Sequence, residues 1–364
     1  MPATRSRLGL DCGQGWSSPG LNVLGWVAHQ RRTLRWLSRI GFTMRLLPSS
    51  WILTLLFLVA PAAARAGGVA IVINSGDATL SVLDMDRGTE LRRIPVLREP
   101  HHVALSPNGR ELLVGDAGGN EMLFLDPHTG AVLHRMPVAD PYHLAFSPNG
   151  KWLVVTGLAR NQVDVYDAAT MALVKRFPLG TMPSHVTYAP DSSMAYVTLQ
   201  GTNKVAALDL HRQAVAWTAE VGSTPAGIMW LNGKLLVADM GTDFFAVLDP
   251  VDGHTEQRVH TGRGAHQLFL SPDGKTLWVN NRVDGSTTAV DPATLSVRRT
   301  YRVPGGPDCI DFAPDGKLWI TQRFIQKVGV LDPVSGVLQS YPVGRSPHGI
   351  FLTTGAPPAT VAAR

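Results

Sequence analysis

Six of the twelve histidines recur at two adjacent positions of a sequence repeat. Each follows, by one or two residues, a proline or alanine that recurs every 40 to 42 positions, and the six are His101, His102, His143, His185, His266 and His348. Imidazole nitrogens bind Zn and Cu at about 2 Å, and imidazole is also a general base near neutral pH. Six histidines at these recurring positions therefore predict a metal site or a catalytic site, although one such histidine alone would more often be a structural hydrogen-bonding residue.

The repeat that carries these histidines runs from about Val69 to the C-terminus. Its copies align on the recurring residues Pro100, Pro141, Pro183, Pro225, Ala265, Pro307 and Pro347. Apolar residues stand three and five positions beyond each of them, as Leu144 and Phe146 do, and this period of two predicts a strand. A repeat of about 40 residues with four short apolar runs is typical of a β-propeller blade.

Counting the copies predicts an all-β fold, a seven-bladed β-propeller over residues 67–355. In the third blade, three strands are predicted after the inner one: Trp152–Thr156, Gln162–Tyr166 and Leu173–Phe177. The first copy lacks an inner strand and the last copy has only an inner strand, so together they complete one blade. Pairing the C-terminal strand with the N-terminal strands closes the ring and removes the exposed sheet edges that promote aggregation.

A second set of recurring residues supports this alignment of the copies. An aspartate ends the third strand of every blade, at Asp84, Asp126, Asp167, Asp209, Asp249, Asp291 and Asp332. Aspartate at such positions caps tight turns, because its side chain accepts hydrogen bonds from the backbone just ahead. We therefore assign this column no chemistry.

The inner strands of a propeller start around one mouth of the axial channel, so the six histidines are predicted to cluster there. His102, His143 and His185 come from three successive blades at the same level, and they are the predicted ligands of a Zn or Cu ion. Three further candidate ligands start strands on the same rim: His101, His348 and Cys309. No C-x-x-C or H-E-x-x-H motif accompanies them, and hydrogen bonding to channel water or backbone is the alternative role.

Arginines follow the second strand of several blades and open on the same face. Arg160, Arg282 and Arg323 can hold a carboxylate or phosphate through paired hydrogen bonds. Asp308 lies on the rim and completes the predicted ligand-binding set. The alternative is that these are ordinary solvated loop residues. No G-x-S-x-G, P-loop or dinucleotide-binding motif is present.

The residues before the repeat have a different character. From Met44 the chain has a basic start, a ten-residue apolar run and a small-residue end at Ala66, which predicts a cleaved secretory signal peptide over 44–66. The predicted location is therefore the periplasm or the cell exterior. The apolar run is short for a transmembrane helix, and an uncleaved anchor is the alternative. Residues 1–43 are interpreted as an over-extended start or an unusually long leader, and residues 356–364 as a flexible tail.

The charge of the repeat argues against nucleic-acid binding. The first 66 residues hold eight of the 33 basic and one of the 28 acidic residues, which leaves 25 basic and 27 acidic residues in 67–364. No basic stripe is evident there, so we expect no nucleic-acid partner. Of the two cysteines, Cys12 and Cys309, only Cys309 would remain after processing, as a single thiol in an exported protein.

The repeat resembles the YVTN-type bacterial β-propellers of the YncE group. The resemblance rests on S-P-(N/D)-G-(K/R)-x-(L/W)-x-V turns and on Ala195–Thr198, AYVT, and it covers nearly all of 69–352. It implies an exported propeller, in a family that includes periplasmic binding or metal-handling proteins, surface proteins and companions of quinoprotein or haem pathways. The segments PDGKLWIT and VGRSPHGI also look like virginiamycin B lyase. That likeness makes His266 and His348 candidate catalytic residues, but no glutamate accompanies them on the inner strands.

The sequence thus predicts an exported propeller that binds a small ligand, a Zn or Cu ion or a periplasmic protein at a histidine-rich channel mouth. A binding or scaffold protein is favoured over an enzyme, since no acid–base carboxylate pair can be placed. The first alternative is a lyase or lactonase that uses His266 or His348 as a base. The second is a protein-interaction platform that uses the loop face. No membrane span is expected in residues 67–364.

Overall fold

A computed structural model describes residues 67–353 of the 364-residue chain. The predictions for 1–43, 44–66 and 356–364 lie outside the described residues. Within 67–353, no helix is long and apolar enough to cross a bilayer. The strands, in chain order, are β1 Val69–Asn74, β2 Thr79–Asp84, β3 Glu90–Pro95, β4 Pro100–Leu105, β5 Leu112–Asp116, β6 Glu121–Leu125, β7 Val132–Pro137, β8 His143–Phe146, β9 Trp152–Gly157, β10 Gln162–Asp167, β11 Leu173–Pro178, β12 Pro183–Tyr188, β13 Met194–Leu199, β14 Lys204–Asp209, β15 Ala214–Glu220, β16 Pro225–Leu231, β17 Lys234–Asp239, β18 Phe244–Leu248, β19 Thr255–His260, β20 Ala265–Leu270, β21 Leu277–Asn281, β22 Ser286–Val290, β23 Val297–Arg302, β24 Pro307–Phe312, β25 Leu318–Gln322, β26 Lys327–Leu331, β27 Leu338–Pro342 and β28 Pro347–Thr353. A short 3-10 helix, Gln200–Thr202, separates β13 from β14.

Over the described residues, these strands form seven antiparallel sheets of four strands each. Six sheets take four consecutive strands, from β4–β7 through β24–β27, and the seventh has the order β28-β1-β2-β3. We call this last sheet blade 1 and number the others 2 to 7 in chain order. The all-β class and the seven-bladed propeller are confirmed. The three strands predicted for blade 3 are β9, β10 and β11, each of which extends one residue further than predicted.

Ring closure takes place in blade 1. β28 pairs with β1 in antiparallel register, from Val69 opposite Thr353 to Asn74 opposite Pro347. The closing strand also contacts β24 of blade 7 and β4 of blade 2, so it completes the ring of inner strands. Closure by the C-terminal strand is therefore confirmed, and it gives β1 the partner that it would otherwise lack.

Burial follows the position of a strand within its blade. In blade 3, β9 is buried throughout and β10 is buried except at its ends, whereas β11 is mostly exposed. The second strand, β9, is a nearly continuous apolar run because neighbouring blades cover both of its faces. The core lies between the blades; Trp152, Val165 and Val197, for example, belong to one cluster between blades 3 and 4.

The aspartates that end the third strand of each blade cap the next turn, as predicted. Asp126 Oδ1, for example, accepts hydrogen bonds from the amides of His128 at 2.9 Å and Thr129 at 2.7 Å. The same bond to the amide two residues ahead recurs at Asp84, Asp167, Asp209, Asp249, Asp291 and Asp332. These turns lie at the end of each blade away from the starts of the inner strands.

Candidate functional site at the channel mouth

A β-bulge stands at the start of most inner strands. In blade 2, Pro100 pairs with Asp116 and Val103 pairs with Val114, so that His101 and His102 together face one residue of β5. Consecutive side chains of a regular strand point to opposite faces, and a bulge re-aims them. Both rings consequently approach His348, with centroid distances of 4.9 Å and 4.4 Å. Similar register shifts follow Pro183, Pro225, Ala265, Pro307 and Pro347.

A threonine of the second strand fixes several of these bulges. Thr198 Oγ1 accepts a hydrogen bond from the His185 amide at 3.0 Å and donates one to the Ala226 carbonyl of the next blade at 2.7 Å. Thr156 and Thr321 make the same pair of bonds in blades 3 and 7. Since a hydroxyl donates and accepts at once, each threonine ties the rim of its own blade to the rim of the next. Sequence reasoning missed this role, although Thr198 lies in the AYVT segment.

Three histidines lie together on one side of the mouth. The ring centroids of His102 and His143 are 4.6 Å apart, those of His102 and His185 are 4.9 Å apart, and those of His143 and His185 are 4.8 Å apart. Each ring offers one nitrogen, and the three nitrogens lie within 4.8 Å of one another. Three nitrogens at this spacing form a candidate site for one Zn or Cu ion, which imidazole binds at about 2 Å.

Burial keeps these three imidazoles neutral. Burial, reinforced by the neighbouring imidazoles, holds the pKa of His102 and of His185 well below 6.5. Burial lowers the pKa of His143 to about 4. At neutral pH, protons therefore do not compete for the ring nitrogens, and the neutral imidazole is the form that binds a metal.

Each ring of this cluster has a buried nitrogen with no hydrogen-bond partner in residues 67–353: His102 Nε2, His143 Nδ1 and His185 Nε2. The other nitrogen of His185, Nδ1, lies 2.7 Å from Ser184 Oγ, which also accepts a hydrogen bond from Gln200 Nε2. In the tautomer that donates from Nδ1 to Ser184, His185 Nε2 keeps its lone pair. A buried polar atom without a partner costs about 1–3 kcal/mol, and a bound ion would offset that cost.

A second set of candidate ligands shares His102. His102, Cys309 and His348 also place one ligand atom each within 4.8 Å of the others. The Cys309 thiol is buried and lies 3.3 Å from Gln267 Oε1. Burial, and then the charge of Asp308, raises the pKa of Cys309 well above its ordinary value. The structure thus brings together five of the six predicted metal ligands around His102.

The sixth predicted ligand, His101, belongs to neither set. Its Nδ1 lies 2.9 Å from Nδ1 of His348, and its Nε2 lies 3.2 Å from the Glu99 carboxylate. The hydrogen bond to His101 lowers the pKa of Glu99. His101 is therefore placed to orient His348 rather than to bind the same ion as His102.

The other side of the mouth is charged. The fully buried Asp308 accepts hydrogen bonds from Arg282 at 2.7 Å and Arg323 at 3.1 Å. Burial by itself would raise the pKa of Asp308, but the surrounding Arg282, His348, His266 and Arg323, with the Arg282 guanidinium first among them, hold it well below its ordinary value. Two of the arginines that were predicted to hold an external anion thus bind a carboxylate of the chain itself.

The two candidate catalytic histidines lie in this charged group. Arg282 donates to His266 Nε2 at 2.6 Å, and His266 Nδ1 lies 3.1 Å from Asp308. Arg323 donates to His348 Nδ1 at 2.9 Å, and His348 Nε2 lies 3.5 Å from Asp308. Burial lowers the pKa of His266 to about 3 and holds that of His348 well below 6.5. Both rings are neutral, and each has one nitrogen engaged by a guanidinium.

Arg160 was predicted to belong to the ligand-binding set but lies apart from it, whereas Tyr142 was not predicted and belongs to the rim. Arg160 is exposed and donates to Asn120 Oδ1 at 3.2 Å, so it does not join Arg282 and Arg323. Tyr142 belongs to the rim, with its ring centroid 4.6 Å from that of His101 and 5.5 Å from that of His102. Burial raises the pKa of Tyr142 to about 12, so its hydroxyl stays protonated. Its position one residue beyond Pro141 is the signal that could have identified it.

The chain matches the YncE-like β-propeller family over residues 30–358 and belongs to that family. This agrees with the resemblance of its repeat. No match was found among curated proteins.

Several solved propellers share the fold. A protein of unknown function from Desulfotomaculum acetoxidans is 14% identical, with a TM-score of 0.68, over 79% of this chain and 99% of that one. Dihydro-heme d1 dehydrogenase NirN is 16% identical, with a TM-score of 0.59, over 78% and 74% of the two chains. Virginiamycin B lyase from Staphylococcus aureus is 16% identical, with a TM-score of 0.59, over 70% and 91%. At these identities the likeness shows the fold alone.

Proposed function

We propose that this YncE-like propeller is a binding protein that holds one transition-metal ion, Zn or Cu, at its channel mouth. The ligands are His102, His143 and His185. The observation that carries the proposal is that each of these three imidazoles offers one ring nitrogen within 4.8 Å of the others. Each of them also has one buried nitrogen without a hydrogen-bond partner in residues 67–353.

The pattern differs from that of a structural histidine. Buried polar side chains are normally hydrogen-bonded, and a position that needed only packing would favour an apolar residue because an unpartnered imidazole nitrogen is costly to bury. Three protein ligands also leave a coordination position open, as in metal sites that exchange a further ligand. The arrangement supports reversible binding of an ion at the end of the channel.

We also propose that the protein acts after export. The segment 44–66 has the pattern of a secretory signal peptide, and its removal would place the site in the periplasm or outside the cell. There, a metal-binding propeller would serve as a carrier or scaffold for the ion.

The test is elemental analysis combined with Zn and Cu titration of the full chain. The variant replaces His102, His143 and His185 with Ala. The matched control replaces three exposed histidines that lie away from the mouth, His211, His254 and His260, with Ala. We expect stoichiometric binding in the wild type and the control, and loss of binding in the mouth variant. Equal binding by all three proteins, or binding by none, would overturn the proposal. A second variant with Gln at the three positions keeps the side-chain volume if the Ala variant does not fold.

A second candidate function is a lyase or lactonase that uses His266 or His348 as a general base. It is supported by the position of both rings beside Asp308, at 3.1 Å and 3.5 Å, since a carboxylate commonly orients a catalytic imidazole. Turnover of a streptogramin or a lactone that is lost in His348→Gln and kept in His211→Gln would support it. Absence of turnover of both substrate classes by the wild type would remove it.

A further inference from the structure

A cavity of about 550 Å³ lies between blades 6 and 7. Blade 6 contributes Trp278, Arg299 and Tyr301 to its wall, and blade 7 contributes Phe312 and Pro333. Because Pro333 directly follows the aspartate that ends the third strand of its blade, the cavity lies at the end of the blades away from the channel mouth. Cavities of this size with mainly apolar and aromatic walls are typical of small-molecule sites.

The aromatic wall belongs to the core between the two blades. The ring centroids of Trp278 and Tyr301 are 5.5 Å apart, and both side chains are buried in one cluster with Leu318. The Tyr301 hydroxyl donates a hydrogen bond to the Pro333 carbonyl at 2.8 Å, which ties the wall of blade 6 to blade 7. The fold itself therefore holds a surface against which a flat aromatic ligand packs.

Two arginines line this cavity, and they differ in their partners. Arg298 donates to the Asp291 carboxylate and, at 2.7 Å, to the Lys275 carbonyl. The Arg299 guanidinium makes no hydrogen bond or ion pair within residues 67–353 and lies over the Tyr301 ring, 4.5 Å from its centroid. Stacking occupies the face of a guanidinium and leaves its edge N–H groups, which are the donors that bind a carboxylate through two parallel hydrogen bonds.

The acidic side chain of the wall, Asp273, is already engaged. Its carboxylate accepts hydrogen bonds from the Ser271 hydroxyl at 2.6 Å and from the Lys275 amide at 3.0 Å. Because Asp273 and Arg298 both have partners in the chain, Arg299 is the charged group of the wall with unused hydrogen-bonding capacity in residues 67–353. The ligand charge that complements it is negative.

The repeat supplies two cavities for comparison. One of about 500 Å³ lies between blades 4 and 5, and one of about 330 Å³ lies between blades 7 and 1. Arg299 pairs with the residue two before the aspartate that ends the third strand, and the residues of the other two cavities at this position are Trp217 and Gln339. Among these three cavities, the guanidinium at this position is therefore particular to the one between blades 6 and 7. It does not follow from the blade architecture.

We propose that the cavity between blades 6 and 7 is a second binding site and that it takes a small aromatic carboxylate. The aromatic ring of the ligand packs against Trp278 and Phe312, and its carboxylate accepts two hydrogen bonds from Arg299. The site is separate from the channel mouth, and its ligand binds whether or not a metal ion is present there.

The test is calorimetric titration of the full chain with 2-naphthylacetate in the presence of a chelator, with saturation-transfer NMR of the same probe. The neutral 2-naphthylacetamide has the same ring system and lacks the charge. We expect one saturable site per chain for the acid and at least tenfold weaker binding of the amide. Arg299→Gln should weaken binding of the acid at least tenfold and leave binding of the amide within twofold, because the aromatic wall is unchanged.

The matched control is Arg258→Gln. Arg258 is also exposed and lies over an aromatic ring, 5.3 Å from the centroid of Phe244, but it does not line this cavity. The control should leave both affinities unchanged.

Three results would overturn the proposal: equal affinity for the acid and the amide, equal loss of binding in the two arginine variants, or no saturable binding by the wild type. Binding of a peptide that ends in tryptophan, without binding of 2-naphthylacetate, would assign the cavity to a peptide and overturn the small-ligand proposal. None of these results bears on metal binding at the channel mouth, so the two proposals fail separately.

Discussion

The two sides of the channel mouth use buried polar groups in opposite ways. On the side built by blades 2, 3 and 4, three imidazole nitrogens lack a hydrogen-bond partner in the described part of the chain. On the side built by blades 6, 7 and 1, Asp308 binds Arg282 and Arg323, although His266 Nδ1, His348 Nε2 and Arg282 Nε also lack a hydrogen-bond partner in residues 67–353. The two sides therefore differ mainly in charge. The first holds neutral imidazoles, and the second holds a carboxylate paired with two guanidiniums.

Substitutions on the two sides should also change different free energies. Breaking a buried ion pair leaves an uncompensated charge and is strongly destabilising. Removing an unpartnered imidazole leaves no charge behind. Substitutions on the charged side should therefore act on folding, and substitutions on the neutral side should act mainly on ligand binding.

The largest effect is expected from Asp308→Asn. The change removes the negative charge between two guanidiniums in a buried position, and we expect it to lower the free energy of unfolding by about 3–5 kcal/mol. Urea denaturation followed by tryptophan fluorescence measures the change. Asp86→Asn, on an exposed aspartate, is the matched control. Equal stability of the two variants would contradict the structural role given to the charged side.

Acid should destabilise the protein through the histidines of the neutral side. Above pH 6.5, His143 is neutral in both the folded and the unfolded chain. As the pH falls below 6.5, the unfolded chain binds a proton, but folded His143 does not until about pH 4. Stability is therefore lost across this window, by about 3 kcal/mol for this shift. Denaturation midpoints from pH 7 to pH 4 should fall less steeply for His143→Gln than for His211→Gln. Parallel slopes would refute the buried neutral state.

Replacing single histidines by leucine compares the two sides directly. His143→Leu should change the free energy of unfolding of the metal-free protein by less than about 1 kcal/mol, because no hydrogen bond is broken at its buried nitrogen. His266→Leu should cost about 2–3 kcal/mol, because Arg282 then loses an acceptor in a buried site. The measurement is urea denaturation at pH 7 with a chelator present. A larger cost for His143→Leu would reverse the comparison.

The smallest effect is expected from Arg160→Ala. Arg160 lies outside both sides and its guanidinium makes one exposed hydrogen bond, so stability should change by less than about 0.5 kcal/mol and metal binding should not change. Isothermal titration with Zn or Cu, together with thermal unfolding, provides the check. A marked loss of binding would show that the loop face extends the site.

Much of the fold could be predicted from the sequence because its determinants are local. The period of two in each strand and the aspartate at each turn act over a few residues, as the bonds from Asp126 to His128 and Thr129 show. Because the first copy lacks an inner strand and the last copy has only an inner strand, closing the ring pairs β28 with β1. The recurring histidines could be found for the same reason, because each lies one or two residues after the start of its copy.

The partners of the charged groups could not be predicted in this way. Arg282 and Arg160 occupy similar loop positions. The Arg282 guanidinium reaches a buried carboxylate of the next blade, whereas the Arg160 guanidinium reaches Asn120 and only the Arg160 amide bonds the buried Asp140. Such pairing depends on the orientation of side chains across the channel and not on a position within the repeat. The β-bulge that lets both His101 and His102 approach His348 likewise leaves no mark in the apolar pattern.

Ring closure by β28 has a consequence for biosynthesis. Among the strands of residues 67–353, β28 is the last that the ribosome makes, yet it carries His348 and contacts the inner strands of blades 2 and 7. A nascent chain that has reached only blade 7 holds Asp308 and Arg323 without the imidazole that Arg323 binds. The channel mouth is therefore complete only after β28 has been made, and a chain that is terminated before β28 lacks His348. Closure of the ring and completion of the channel mouth thus depend on the synthesis of the same strand.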